Sequence, residues 1–582
     1  MNTPFFLPLK NVNPTPTRHR RSRAFTLAMG LFLSSMIVRD SCAAEAPESV
    51  RSPANQVFQF VQNSSISTWA DGSTTEATGY LWIPENCKRL RGLLIMCSNV
   101  PEHMLVGHPL IRETCAANGL GIFWGTKSFY NFKAKTENKT SVALLQKLLD
   151  GLAQTSGYGE AATVPWLPMG ESGHLLMVDA LVEEAPQRCI AGIWIKNNHL
   201  PPHNRQVPAL VAFGTAQEWS QDKSDIRAGW NHIDGAYDGI LKQRASNPEW
   251  PLTYIIDGTS GHFDCSERLT RYFARYIDLV AKARLSNDES AALKPIPMEN
   301  GFLADLPVPG HENHPVSAFS ETPSDARGVP WYFDKASAEE AQAMARINWK
   351  AETQLPGFAD KTGTVFPYTF NGITWIPINK KPDPATSPLP TPTLDTEADG
   401  VTFTLKGILL DQIPVNFVGA GETLAKAPGA PSLEWLCGCV APVGGGKFQM
   451  ALDRTWPSPI YIAVRHPGTD NIRAVVQPGQ ISRDNHSEGA PQKITFGKLA
   501  DVKAGTKTIP LVATTDAGMA VRFFVVVGPA VVKDDTLVFT GIPPRAKFPL
   551  SVTVAAWQWG RGTEPKVRTA EIVRQTFQIL AP

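Results

Sequence analysis

Between residues 77 and 285, short apolar runs alternate with longer segments whose apolar residues recur at helical spacing. The runs are TGYLWIP, GLLIMCSN, GLGIFWG, TVPWLPMG, IAGIWIK, VPALVAFG and PLTYIIDG. Between them lie PLIRETCAAN, SVALLQKLLDGLAQ, LLMVDALVEEA and IRAGWNHIDGAYDGILKQRA, and SERLTRYFARYIDLVAKARL closes the series. Strands alternating with helices of this length predict βαβ units and a mostly parallel sheet with helices on both faces. Right-handed crossovers then cover that sheet from either side. The fold class read here is α/β over residues 45–285.

Beyond Leu285 this pattern stops. Residues 286–330 are polar and proline-rich, and KASAEEAQAMARINWKAE predicts a helix over 335–352. The aromatic runs PWYF and TFNGITWIPI have too little neighbouring structure to form a core alone, so 286–385 reads as an extension packing back on the preceding domain. TSPLPTPTLD, residues 386–395, is a stiff extended linker by composition. After it come short β-rich runs, VTFTLKGI, IYIAVRH, VRFFVVVG, TLVFTGI and LSVTVAAW, separated by Gly/Pro turns. Their spacing suits β-sandwiches, divided near residue 490 into modules over 396–490 and 491–582. The last ninety or so residues resemble, by strand order, the bacterial Ig-like modules appended to secreted proteins.

Composition changes the picture mainly at the start of the chain. Arg18, Arg20, Arg21 and Arg23 precede the mainly apolar 15-residue run AFTLAMGLFLSSMIV, and SCAAEA follows with small residues suited to cleavage after Ala44. This order of charge, apolar run and small residues reads as a signal peptide over 1–44, with a secreted, periplasmic or cell-surface mature protein. An apolar run of that length is short for a membrane span, so no integral membrane segment is expected. The formal net charge of +1 gives no electrostatic reason to expect nucleic acid or an anionic membrane as partner. Of the 8 cysteines, removal of Cys42 leaves an odd set with no zinc-finger spacing, read as packed thiols with one or two bridges at most. No Gly-rich dinucleotide loop, P-loop, His-Glu-x-x-His or EF-hand motif occurs, so no cofactor and no metal are expected.

The candidate chemistry sits in PMGESGH, residues 168–174, at the end of one predicted strand and the start of the next helix. A nucleophile on a sharp strand-to-helix turn needs small residues beside it, as in G-x-S-x-G. Gly170 meets that need on one side, Ser172 takes the nucleophile position, and Gly173 follows it. His174 stands where a second glycine is usual. The alternative is an ordinary turn whose serine caps the helix. A serine nucleophile also needs a base, and the base needs an acid to fix its tautomer. The strand VPALVAFG leads into a loop with Glu218, Asp222 and Asp225, and PLTYIIDG leads into a loop with His262.

Over residues 75–285 this order of strand, serine, acid and histidine resembles the secreted esterases and depolymerase-like lipases of the α/β-hydrolase family. The resemblance implies Ser172 as nucleophile and His262 as general base. For the acid, Gln217 stands where such esterases place an aspartate, which leaves Glu218 first and Asp222 second. The oxyanion donors are expected at the Gly173 N–H and at Asn99 or Val100. Glu171 is expected to point away as a pocket-lining charge, and Asp264 to cap the final helix. His103, His108, His199 and His203 read as loop histidines without a metal. Trp124, Phe129, Tyr130, Trp219 and Trp230 read as cleft lining or plain packing. The function expected is ester hydrolysis through an acyl-enzyme, on a polysaccharide or other polymer, with cell-surface or matrix contact through the β modules. A peptidase of related fold and a non-catalytic binding protein on a degenerate hydrolase fold are the alternatives.

Overall fold

In the computed structural model eight strands form one twisted sheet: β1 (Phe60–Ser67), β2 (Thr74–Trp82), β3 (Gly92–Cys97), β4 (Leu120–Gly125), β5 (Trp166–Glu171), β6 (Gly192–Ile195), β7 (Ala209–Ala216) and β8 (Leu252–Gly261). Their spatial order is β1-β2-β4-β3-β5-β6-β7-β8. The pairings from β4 through β8 are parallel, while β1 and β2 are joined to the sheet by antiparallel pairing. Every residue of β3, β4 and β5 is buried, as strands covered on both faces must be. This strand order, with helical crossovers between parallel strands, is that of the α/β-hydrolase fold. The structure describes residues 56–582 except 68–73, 127–138, 197–204, 217–232, 289–291, 309, 312–314, 349, 367–373, 378–395, 416, 457–459 and 483–485. The segment read as a signal peptide and the one read as a Pro-rich linker therefore lie outside the described residues.

The helices around this sheet are α1 (Val100–Val106), α2 (Pro109–Ala117), α3 (Lys139–Ser156), α4 (Leu175–Glu184), α5 (Ile233–Ser246) and, after the last strand, α6 (Glu267–Arg284). Ser266 caps α6, its hydroxyl accepting the Leu269 N–H. Some elements differ from the sequence reading, α1 among them, since His103 is expected on a loop. β1, with the polar sequence FVQNSSIS, carries no apolar alternation and is held through its antiparallel pairing to β2. The helix expected over 335–352 is α7 (Lys335–Ala345), ending seven residues early. The chain leaves it because Glu352 exchanges backbone hydrogen bonds with Asn471 and Arg473, and Gln354 donates to Arg473 O at 2.7 Å.

Residues Ala46–Pro582 form one compact unit. The middle β region pairs a four-stranded sheet (Thr374–Pro377, Val475–Ser482, Ile460–His466, Ser432–Cys437) with a three-stranded one (Thr402–Thr404, Lys447–Met450, Val440–Gly444). Phe403, Trp435, Phe448, Ile462 and Val464 fill the space between them. The extension is split between two environments. α7 packs on the α/β domain, where Tyr272 OH donates to Ser337 O and Arg275 pairs with Asp334. Strands Pro356–Ala359 and Thr374–Pro377 instead pair with Lys406–Leu409 and Val475–Ser482 of the β module.

The final region is a second pair of four- and three-stranded sheets, whose Leu537, Val552, Val554 and Phe577 are continuous with the core of the α/β domain. It is fixed by a bidentate pair between Arg545 and Glu160, at 2.8 and 3.1 Å, and by Lys547 N donating to Ser156 O. Both β regions are packed on the α/β domain. Cysteines 87, 97, 115, 189 and 265 are buried free thiols, and Cys437 and Cys439 are buried in the middle β region. Burial pushes the thiols of Cys115 and Cys189 up to about 12. No helix among the described residues is long and apolar enough to cross a membrane.

Candidate active site

β5 ends at Glu171, and Ser172 opens a single 3-10 turn leading into α4. Ser172 has φ +50°, a conformation that side-chain-bearing residues adopt at a cost of about 1–2 kcal/mol. Gly170 explains how the turn closes so tightly. A Cβ there would stand 2.7 Å from His174 O and 3.1 Å from Val178 Cγ2, so only glycine fits without displacing backbone. His174, at the position where a second glycine is usual, keeps ordinary helical dihedrals with φ −82° and ψ −5°. Its buried ring turns inward, with Nδ1 3.3 Å from Glu102 Oε1. The same Glu102 oxygen accepts the Glu171 N–H at 2.9 Å. One carboxylate from α1 thus braces the turn on both sides of the serine.

β8 delivers His262 from three strands away. Its Nε2 is 3.0 Å from Ser172 Oγ, within hydrogen-bond distance. Ser172 is only partly buried and His262 is 9% exposed, so the pair is reachable from outside. Glu171 does not point away, as the sequence reading expected. Its fully buried carboxylate lies 3.2 Å from the same His262 Nε2 and also accepts from the Asn99 amide. That amide donates to Glu171 O as well, at 3.0 Å, which ties the loop after β3 to the end of β5.

The expected oxyanion donors occupy different situations. Asn99 N–H is engaged by Cys97 O at 2.9 Å, so it is not directed at a substrate. Val100 N–H, at the first position of α1, and Gly173 N–H, beside the serine, meet no acceptor among the described residues. Glu218, Asp222 and Asp225 lie outside the described residues, as do His199, His203, Phe129, Tyr130, Trp219 and Trp230.

For nearby residues the structure corrects the expectations for Asp264 and His103, leaves His108 outside the helices, and settles Trp124 as packing. Asp264 does not cap α6; Oδ1 accepts the Gly261 N–H at 2.7 Å and Oδ2 pairs with Arg465 at 2.5 Å. His103 lies within α1, its ring 2.9 Å from Ser98 Oγ, and His108 precedes α2 with its ring 3.4 Å from Glu267. Trp124 is core, stacked on Phe58 and 1% exposed.

Beneath the site, Lys196 leaves β6 with φ +55° and its buried ammonium donates to Ser260 Oγ at 2.5 Å. Asp257 on β8 is fully buried. Desolvation acts to raise its carboxyl, but the Lys196 charge and hydrogen bonds from Ser266 and Thr259 outweigh it and hold the group below its ordinary value. No group of three or more His, Cys, Asp or Glu residues with metal-binding geometry occurs among the described residues.

No protein-family model and no curated protein matches the chain. Solved structures to which it is similar include a thermostable esterase at 10% identity, over 39% of this chain and 60% of that one, with a TM-score of 0.24. An S-formylglutathione hydrolase from Agrobacterium tumefaciens is similar at 12% identity over 39% and 97% of the two chains, TM-score 0.24. The feruloyl esterase module from Clostridium thermocellum is similar at 12% identity over 40% and 92%, TM-score 0.23. The chain spans 60% of the first of these. The similar structures are esterases and serine hydrolases by name, and the fold assignment rests on the strand order and crossovers described above.

Proposed function

We propose that this protein is an exported serine hydrolase that cleaves carboxylic esters through an acyl-enzyme. The observation that carries the reading is the 3.0 Å approach of His262 Nε2 to Ser172 Oγ, with Ser172 held at φ +50° at the end of a parallel strand. In the proposed cycle Ser172 Oγ attacks the ester carbonyl while His262 Nε2 takes its proton. The tetrahedral oxyanion is received by the N–H groups of Gly173 and Val100. Collapse breaks the ester C–O bond, and His262 returns the proton to the departing alcohol. Water then attacks the acyl-enzyme by the same route in reverse, freeing the acid. Glu218, or Asp222 in its place, orients the imidazole from the loop after β7.

The Arg-rich leader with its apolar run supports export, and two β modules beside an ester-cleaving domain favour an acyl ester on a polysaccharide or other polymer. The test is labelling with a fluorophosphonate, which reacts only with an activated serine. Wild-type protein is expected to label at Ser172 and to hydrolyse a soluble aryl ester, and Ser172→Ala to do neither while keeping its fold. Wild-type protein that neither labels nor turns over such an ester refutes the reading.

A further inference from the structure

The segment that carries His262 is held from two directions, and one of them is the middle β module. Arg465, on the strand Ile460–His466, is 13% exposed at its side chain and reaches across to the loop after β8. Its Nη1 donates to Thr259 O at 2.5 Å, and its Nη2 to Asp264 Oδ2 at 2.5 Å. Nε and Nη2 also donate to Glu434 Oε2, on the neighbouring strand, at 3.1 and 2.9 Å. Asp264 in turn accepts the Gly261 N–H. The guanidinium therefore binds residues 259 and 264, on either side of His262, and is itself fixed by a carboxylate of its own sheet.

Apolar contacts run alongside. Phe263 meets the His262 ring edge-on at 4.5 Å and stacks on Tyr461, also on Ile460–His466, at 6.0 Å. The Tyr461 phenol is pushed up to about 12 by burial, with Cys437 and the Glu171 carboxylate adding to the shift. α1, which presents the Val100 N–H, buries Val100 and Met104 against Leu436, Cys437, Ala463 and Val476 of the same sheet. One sheet outside the hydrolase thus backs both the histidine loop and the loop after β3.

We propose that Arg465 is a positioning residue for His262, and that the middle β module is part of the catalytic apparatus. This inference rests on the serine-hydrolase reading of Ser172 and His262. A planar fork suits three acceptors set at different angles, which an ammonium on a flexible stem cannot satisfy at once. Without it, Asp264 is left as a fully buried carboxylate, and the backbone between 259 and 264 loses its outer anchor.

The experiment uses the full chain with Arg465→Met, Arg465→Lys and Asp264→Asn. In Arg465→Met, kcat on a soluble ester is expected to fall on the order of 100-fold with KM within about twofold, since small displacements of a base act on the reacting geometry and not on substrate affinity. Arg465→Lys is expected to recover part of that loss by restoring charge opposite Asp264. Combining Arg465→Met with Asp264→Asn should cost no more than the worse single change, because both remove one interaction. Hydrogen–deuterium exchange is read in parallel. Exchange should rise in the peptide spanning 259–264 and stay unchanged in the peptide bearing Ser172.

Folded Arg465→Met protein with kcat within about twofold of wild type overturns the proposal, as does a loss carried by KM and not relieved by lysine. If the wild-type protein shows no hydrolysis, the serine-hydrolase reading has failed and the exchange data alone decide the clamp. A rise confined to 259–264 keeps it, and unchanged exchange removes it. Should Arg465→Met not fold, Arg465→Lys carries the same comparisons, with a smaller fall in kcat and a smaller rise in exchange expected.

Discussion

Glu171 and His262 are in contact: the carboxylate Oε1 lies 3.2 Å from Nε2, the ring nitrogen that also faces Ser172 Oγ. On the proposed mechanism, a buried carboxylate beside this nitrogen has a consequence that depends on the step. On that mechanism the neutral imidazole turns its Nε2 lone pair toward the carboxylate, an unfavourable contact that becomes an ion pair only when His262 takes the serine proton.

Glu171→Gln therefore tests a transition-state interaction. The amide retains the size of the side chain and a group able to accept from Asn99, but loses the charge. On the proposed mechanism kcat is expected to fall about 10-fold with KM nearly unchanged, the pattern of an interaction made only as charge develops. Steady-state kinetics on a soluble ester check this. A rise in kcat would mean that the carboxylate mainly repels the oxyanion.

Gly170→Ala places a methyl 2.7 Å from the His174 carbonyl oxygen. Backbone cannot move aside as a flexible side chain can, so the elbow must open. A loss of about 1–3 kcal/mol in stability is expected, as for other overpacked sites, measured by denaturant unfolding. Fluorophosphonate labelling of Ser172 should fall with it. Gly173→Ala, at the following position, offers a comparison in which no positive φ is lost.

Asp257 makes acid stability predictable. Its folded carboxyl is held below the ordinary value of 3.8, so its contribution is fully present above that pH and is lost as pH falls through the lower folded value. Asp257→Asn should destabilise the protein at pH 7 by about 1–3 kcal/mol, as loss of charged hydrogen-bond acceptors in a buried site does. The difference in Tm between wild type and variant should shrink below about pH 4, where the carboxyl of the unfolded chain begins to take up a proton that the folded carboxylate still resists. A gap that stays constant down to pH 2 would rule out the charge as its cause.

Truncation at residue 385 should not release an independent hydrolase. Such a fragment uncovers Val100 and Met104, removes Arg465, and strands Pro356–Ala359 and Thr374–Pro377 without their pairing partners. It also exposes the core surface shared with Leu537, Val552 and Phe577. Expected are a lowered Tm, increased dye binding to exposed apolar surface, and weak or absent fluorophosphonate labelling, compared side by side with the full chain. A fragment that labels as fast as the full chain would show the modules to be dispensable for the chemistry.

Local pattern was enough for the parallel sheet, for α2, α3, α4 and α6, and for the turn at Gly170-Glu171-Ser172. Each of these depends on periodicity or on a steric need within about ten residues, and both are written in consecutive positions. The pairing of Ser172 with His262 was legible one step further, because chain order in a parallel sheet dictates which loops share its C-terminal edge. Tertiary structure alone decided the rest. Glu102 bracing the elbow acts across 69 and 72 positions, and Arg465 reaches Asp264 across 201. The direction of the Glu171 side chain and the early end of α7 were settled the same way, by neighbours contributed from other elements. A carboxylate or guanidinium carries no sequence signal for its partner, since the pairing exists only once burial has removed water and left the two charges each other's best solvation.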